Sequence, residues 1–273
     1  MELKTTQWNV DDGVATLTLS RPDSHNAWTG RMHTELRHLL DLGNTDPEVK
    51  VIVITGDPDG ATFCPGGDAT ALAGHAERGG YDAGTPPDLA NPGYGVRPEY
   101  DADFAYFLGL DTVTIAAING AAAGVGLALA CWCDVRFVAD TAKLTSAHGK
   151  LGLPAEYGLS WILPRIIGHG RAADILFTSR VVFGEEAASI GLANAALPTD
   201  DVFPTAMAYA RSLVATVSPS SLRATRQQLS YDSTHDNPAD SVRDAQARLE
   251  KMMGELDYRE GAAALNERRS PRW

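Results

Sequence analysis

Cysteine is scarce. Cys64, Cys131 and Cys133 are the only three in 273 residues. That number is odd and too small for a disulfide framework, and it fits a reducing compartment. Basic residues are also in deficit: 23 Lys and Arg face 35 Asp and Glu, a net charge of −12. This balance argues against nucleic acid or an anionic membrane as the main partner. The deficit is local, with 13 basic and 25 acidic residues in 1–200 but 10 of each in 201–273. An anionic ligand would therefore need local basic residues, because the overall field repels it. The opening MELKTTQWNV has no apolar core of a signal peptide, so the expected location is cytoplasmic.

Long hydrophobic runs are nearly absent. Thr112–Cys133 is uncharged over 22 residues, long enough to cross a bilayer. Asn119-Gly120 interrupts it, and Gly124, Gly126 and many alanines dilute it. The expectation is a buried strand, turn and helix, with no membrane span. Nucleotide fingerprints are missing too. Gly124-x-Gly126 is not G-x-G-x-x-G, no acidic residue follows about 20 positions on, and no P-loop occurs. No nicotinamide site is expected, and no prosthetic group.

The chain does carry 44% hydrophobic residues, enough for a sizeable core. Thr16–Leu19 alternates as a strand after the Asp12-Gly13 turn, and Gly30–Leu42 has helical spacing at Met32, Leu36, Leu39 and Leu40. Val51–Ile54 is a β-branched run of the kind buried on both faces. This β-α-β order points to an α/β fold with a parallel sheet. Val113–Ile118 and Gly124–Cys133 form a second strand and helix, and Asp134–Val138 another strand. Beyond 158 the pattern is helical: 159–167, 171–178, 185–190, 202–217, 219–229 and 241–256. The expected division is an α/β core over 1–200 and a helical region over 201–273. Residues 74–100 hold six Gly and four Pro and read as a loop or lid. No internal sequence repeat is visible.

Two glycine-rich turns stand out. Phe63-Cys64-Pro65-Gly66-Gly67-Asp68 follows the strand at 51–54, and Asn119-Gly120-Ala121-Ala122-Ala123-Gly124-Val125-Gly126 leads from a strand into a helix. Glycine allows close backbone approach, and a helix N-terminus offers free N–H groups. Side by side, two such turns would present a pair of donors to a developing oxyanion. Cys131-x-Cys133 lacks partner ligands for a metal and reads as core. His33 and His38 lie five apart, off metal spacing, and read as a solvated face. Glu185-Glu186 opens a helix and suits its dipole.

Several stretches together resemble the crotonase (enoyl-CoA hydratase/isomerase) superfamily. They are Arg21-Pro22-x-x-x-Asn26-Ala27, Phe63-Cys64-x-Gly66-Gly67-Asp68, Ile118-Asn119-Gly120-x-x-x-Gly124-x-Gly126 and Cys133-Asp134. Further on come Leu151-Gly152-Leu153, Leu163-Pro164-Arg165-Ile166-Ile167-Gly168 and Phe183-x-x-x-x-Ala188-x-x-x-Gly191-Leu192. They span nearly the whole chain in the family's order. The resemblance implies a spiral of β-β-α units, C-terminal helices that build a homotrimer or a dimer of trimers, and a substrate that is an acyl thioester of coenzyme A. It places the oxyanion amides at Gly67 and Val125, and a substrate pocket around Arg21, Ala27, Asp68, Ala69, Leu72 and Gly120. Trp28, Tyr81 and Tyr106 are further candidates for the acyl pocket. CoA phosphates would meet Arg21, or Lys251 and Arg259 of a neighbouring subunit.

The resemblance also exposes a departure. The two glutamates that hold water in hydratases fall at Ala128 and His148, and neither is a glutamate here. Glu156 lies where some family isomerases keep a single catalytic glutamate. The expected reaction is Δ3-to-Δ2 enoyl-CoA isomerisation with Glu156 as base. One alternative is hydration or hydrolytic C–C cleavage by His148 and Glu156. Another is a non-catalytic acyl-CoA-binding protein. Glu156 also has a purely structural alternative, as a partner of the helix N-terminus at 158. Ser146 beside His148 suggests a Ser–His pair, but the G-x-S-x-G turn is absent.

Overall fold

Four successive units of two strands and a helix build the first two thirds of the chain. They are β1 (Thr6–Asp11), β2 (Val14–Leu19) and α1 (Gly30–Thr45); β3 (Val51–Gly56), β4 (Thr62–Cys64) and α2 (Ala69–Arg78); β5 (Val113–Ile118), β6 (Ala121–Ala123) and α3 (Val125–Trp132); and β7 (Val135–Ala139), β8 (Lys143–Thr145) and α4 (Leu159–Ile167). The remainder is α5 (His169–Thr178), β9 (Val182–Phe183), α6 (Gly184–Ser189), β10 (Ala195–Leu197), α7 (Thr199–Thr216), α8 (Pro219–Ser233), α9 (Pro238–Met252) and α10 (Leu256–Glu267). This computed structural model describes residues 1–78 and 97–273.

The larger sheet has the order β1-β2-β3-β5-β7-β10, parallel except for the β1/β2 hairpin. Asp12 (φ 45°) and Gly13 (φ 77°) form that hairpin's two-residue turn. Every residue of β3 and β5 is buried. Central parallel strands covered on both faces lose the polar alternation, so both read as continuous apolar runs. The second strands β4, β6 and β8 leave this sheet and form a smaller one with β9, in the order β4-β6-β8-β9. From the second unit on, each unit thus crosses between sheets before its helix. This is the expected spiral.

Helix α7 buries Val202, Ala206, Met207 and Ala210 and packs on β2, β3, β5 and β7. Helix α8 is pinned by Arg226, only 4% exposed. Its guanidinium donates to Asp134 Oδ2 (2.9 Å) and to the carbonyls of Phe107 (2.7 Å) and Leu110. Helix α9 has no buried residue, and Val242, Leu249, Leu256 and Leu265 of α9 and α10 are exposed.

Several expectations need correction. Residues 74–78 are not loop but the end of α2, an alanine-rich helix whose start is capped: the Thr70 N–H donates to Asp68 Oδ1 (3.0 Å). The central part of the expected lid, 79–96, lies outside the described residues, and so does Tyr81. The helix expected over 241–256 is α9, which ends at Met252; a turn at Gly254 follows, and α10 was not among the expected helices. His33 is not on a solvated face. It is 2% exposed and stacked against Phe104. Burial brings its pKa down to about 4, only partly opposed by Asp103. The uncharged 112–133 segment is β5, β6 and α3, and no helix among the described residues is long and apolar enough to cross a membrane.

The N-terminal segment hangs on one carboxylate. The Glu35 side chain is fully buried and accepts from the Lys4 N–H (2.8 Å), the Thr5 N–H and hydroxyl (2.9 Å each), the Thr6 hydroxyl (2.8 Å) and Arg31. Burial alone would raise its pKa, but these donors outweigh burial and bring it from 4.5 to about 2. The group binds its proton more weakly when folded, so its stabilisation is complete above the unfolded pKa and is lost as pH falls toward the folded value. We expect Glu35→Gln to cost about 3 kcal/mol at neutral pH, with the difference shrinking below about pH 4.5. Urea unfolding of both proteins across that range checks it.

Candidate functional site

The strand-to-helix junctions of the four units converge. Trp28, at the first junction, forms a parallel bridge with Gly67 at the second. The Trp28 N–H donates to the Gly66 carbonyl (2.8 Å), and the Asp68 N–H donates to the Trp28 carbonyl (2.9 Å). In such a bridge the middle residue's own N–H points away from its partner. Gly67 N–H is therefore turned outward, and Gly67 is exposed.

The third junction lies against the second. A Cβ on Gly126 would sit 2.1 Å from the Cys64 carbonyl oxygen, and one on Gly66 (φ 110°) would sit 3.3 Å from the Ala123 carbonyl oxygen. Gly124 (φ 53°, ψ −116°) then turns the chain into α3. Val125 is the first residue of α3, so its N–H has no acceptor within the helix. Gly67 N–H and Val125 N–H thus belong to two turns in backbone contact.

Register brings in the fourth junction. β6 pairs with β8 (Ala123 with Thr145), and the Gly124 N–H donates to the Thr145 carbonyl (3.0 Å). His148 follows three residues later, 7% exposed, after Ala147 at φ 58°. Its Nδ1 is buried and has no hydrogen-bond partner among the described residues. Ser146 does not address His148. Its hydroxyl donates to the Ser179 hydroxyl (3.2 Å) and the Ile175 carbonyl (3.4 Å), which ends the Ser–His reading.

Glu156 is half-buried in the loop before α4. Its carbonyl, not its carboxylate, accepts the Leu159 N–H (3.0 Å), and no side chain caps α4. Glu156 therefore does not cap α4 by a hydrogen bond. Burial raises the pKa of the carboxyl, and His148 partly offsets the rise. Tyr157 (φ 53°) and Gly158 (φ 73°) fix the loop, and the Tyr157 carbonyl accepts from Trp132 Nε1 (2.8 Å) at the far end of α3. The Tyr157 ring meets Phe104 edge-on (5.2 Å), and Phe104 meets Trp28 (5.8 Å). These rings tie the Glu156 loop to the Gly67 turn. Phe104 and Tyr157 were not among the sequence candidates. The Phe104–Phe107 aromatic cluster was the available signal.

Other candidates take different positions. Arg21 Nη1 donates to Asp68 Oδ2 (3.0 Å) and to the Ala27 carbonyl (2.6 Å), so Arg21 and Asp68 brace the Gly67 loop from behind. Gly120 packs on backbone, and a Cβ there would come 2.8 Å from the Ala61 carbonyl oxygen. Ala69 and Leu72 are exposed beside Gly67, while Tyr106 is fully buried behind Trp28 and His33. Lys251 and Arg259 are exposed on the last helices. The three cysteines are buried. Burial pushes the Cys64 thiol up to about 12 and Cys131 to about 11, far from a reactive thiolate. No metal-binding cluster occurs among the described residues.

The sequence model of the enoyl-CoA hydratase/isomerase family matches residues 9–273. The chain belongs to this family, within the crotonase superfamily. Members of the enoyl-CoA hydratase/isomerase family resemble it end to end. The 1,2-epoxyphenylacetyl-CoA isomerase of Escherichia coli K12 is 32% identical over 97% of this chain and 96% of its own. A probable enoyl-CoA hydratase of Rhodobacter capsulatus is also 32% identical, over 99% and 98%. The crystal structure of a probable enoyl-CoA hydratase/isomerase from Mycobacterium abscessus superposes with a TM-score of 0.84 at 31% identity, covering 98% of both chains.

Two outcomes check this geometry. Gly126→Ala must displace the Cys64 carbonyl and should destabilise by about 1–3 kcal/mol, measured by urea unfolding. The Glu156 carboxyl, followed by ¹³C NMR, should titrate above the ordinary carboxylate value because burial disfavours its charged form, and a midpoint at or below that value would contradict the burial.

Proposed function

We propose that this family member moves the double bond of an enoyl-CoA thioester from Δ3 to Δ2. The observation that carries the reading is Glu156, a carboxylate at the junction cluster with no hydrogen bond among the described residues and a raised pKa. Such a group holds a proton between two transfers, as a shuttle requires. Glu156 takes a proton from C2 of the 3-enoyl thioester, and the electrons move onto the thioester oxygen. Gly67 and Val125 N–H groups stabilise that enolate oxygen, each donor contributing about 2.7–4 kcal/mol to the barrier reduction. Protonation at C4 by the same Glu156 gives the 2-enoyl thioester. The proton returns and no water is consumed. The buried alanine at 128 supports this water-free route, since that position of α3 carries no acid.

One observation favours a second reading. His148 lies close enough to Glu156 for its charge to act on that carboxyl. Together they would position a water for hydration or hydrolytic C–C cleavage. In either reading the substrate is an acyl-CoA and no prosthetic group takes part. The phosphate contacts are Arg21, whose Nη1 also pairs with Asp68, or Lys251 and Arg259 from a neighbouring subunit.

We further propose that residues 201–273 serve assembly into a homotrimer or a dimer of trimers. The exposed leucines of α9 and α10 support this.

The deciding experiment offers 3-enoyl- and 2-enoyl-CoA in deuterated water and follows products by mass spectrometry. Bond migration without added water mass is expected. Glu156→Gln should lower the rate by about 10³-fold, and His148→Ala by far less. Equal collapse of both variants, or water addition to the 2-enoyl substrate, supports the second reading. No α-deuterium exchange with any acyl-CoA contradicts both. Light scattering should give three or six times 29.1 kDa, and a monomer would refute the assembly role.

A further inference from the structure

One contact of the Glu156 loop has no part in the proton transfers. Trp132 is the last residue of α3 and is 7% exposed. Its Nε1–H donates to the carbonyl of Tyr157, the residue that follows Glu156 (2.8 Å). The same indole fills the space over Gly158, where a Cβ would sit 2.8 Å from Trp132 Cζ2. The flanking carbonyls of Glu156 and Gly158 accept N–H groups of α4 (2.9–3.0 Å), whereas the Tyr157 carbonyl ties this turn to α3.

The turn needs such a tie. Tyr157 (φ 53°) and Gly158 (φ 73°) are both left-handed. A tyrosine seldom adopts that conformation and keeps it only where its surroundings hold it. The indole is itself held. It stacks on Trp161 of α4 (5.7 Å between centroids, 7° between planes), and the Arg165 guanidinium covers the Trp161 ring (3.8 Å). Helix α3 then joins this contact to the oxyanion turn: Val125 is its first residue, Trp132 its last, and all eight are buried. A helix rises about 1.5 Å per residue, so about 10 Å of rigid backbone separates the two.

We infer that Trp132 is a positioning residue for the proposed isomerisation: by fixing the Tyr157 carbonyl, its Nε1–H holds the Glu156 carboxylate in place against the thioester bound at Val125. The inference rests on Glu156 being the base. Proton transfer requires the carboxylate within hydrogen-bond reach of carbon, and a displacement of about 1 Å can cost about 100-fold in rate.

Two variants remove the donor and keep the ring. Trp132→Phe leaves an aromatic ring against Gly158 and Trp161. The second carries β-(3-benzothienyl)alanine in place of Trp132, which exchanges the indole N–H for sulfur at nearly constant shape and decides the matter if Trp132→Phe does not fold. With 3-enoyl-CoA, kcat should fall by about tenfold or more while KM stays within about twofold of wild type. In ¹³C NMR the Glu156 carboxyl midpoint should fall from its raised value toward the ordinary one, because the freed loop lets water reach it. A packing defect alone would lower stability and leave that midpoint in place. An unchanged kcat in a folded variant overturns the inference, as does a loss confined to KM or a kcat loss with the midpoint unmoved. Glu156→Gln separates the inference from the reading beneath it. If that variant isomerises as fast as wild type, the base assignment fails and the inference with it. If it is inactive while the Trp132 variants turn over normally, the base assignment stands and only the inference falls.

Discussion

The site depends on one backbone contact: the Cys64 carbonyl occupies the space that a side chain at position 126 would need. Only glycine permits that approach. It presses the loop after β4 onto the first turn of α3, and so sets the Gly67 and Val125 amides relative to each other before any ligand arrives. Donors placed in advance need not reorganise when charge develops, which is why such pairs stabilise an enolate better than water does. The Arg21–Asp68 pair and the Trp28 bridge hold the loop from its other side.

The four-unit architecture explains why so many distant residues meet. Each unit contains a strand-to-helix junction, and adjacent units pair strand to strand. Successive junctions are therefore neighbours, contributing Trp28, Gly67, Val125 and His148 in turn. Glu156 arrives on the long connection that follows the last of these. The junctions are chemically unlike, so the structural repeat leaves no repeat in the sequence.

What was legible in the sequence follows from burial. Strands β3 and β5 and helix α3 are sealed on all sides, so their apolar runs coincide with the observed elements. Strand β1 was missed because most of its residues are exposed and few are apolar. Strands β4, β6 and β8 were missed because three residues cannot display a period. The glycine turns were visible, but their mutual contact was not, since 60 positions of chain separate Gly66 from Gly126. His33 misled because it was read by its distance from His38, although it lies three before Leu36 and seven before Leu40, at the edge of the buried stripe. Its stacking on Phe104 comes from a segment 71 residues away. For Glu156 the sequence favoured a base over a partner of the helix N-terminus, and α4 carries no side-chain cap hydrogen bond.

The central claim is that one thioester oxygen sits between two backbone amides with Glu156 beside the adjacent carbon. A crystal structure with a bound saturated acyl-CoA tests it most directly. The account predicts the thioester oxygen about 2.7–3.1 Å from both Gly67 N and Val125 N, with the α-carbon facing the Glu156 carboxylate. A thioester oxygen bonded to neither amide, or an acyl chain lying away from Glu156, would contradict it.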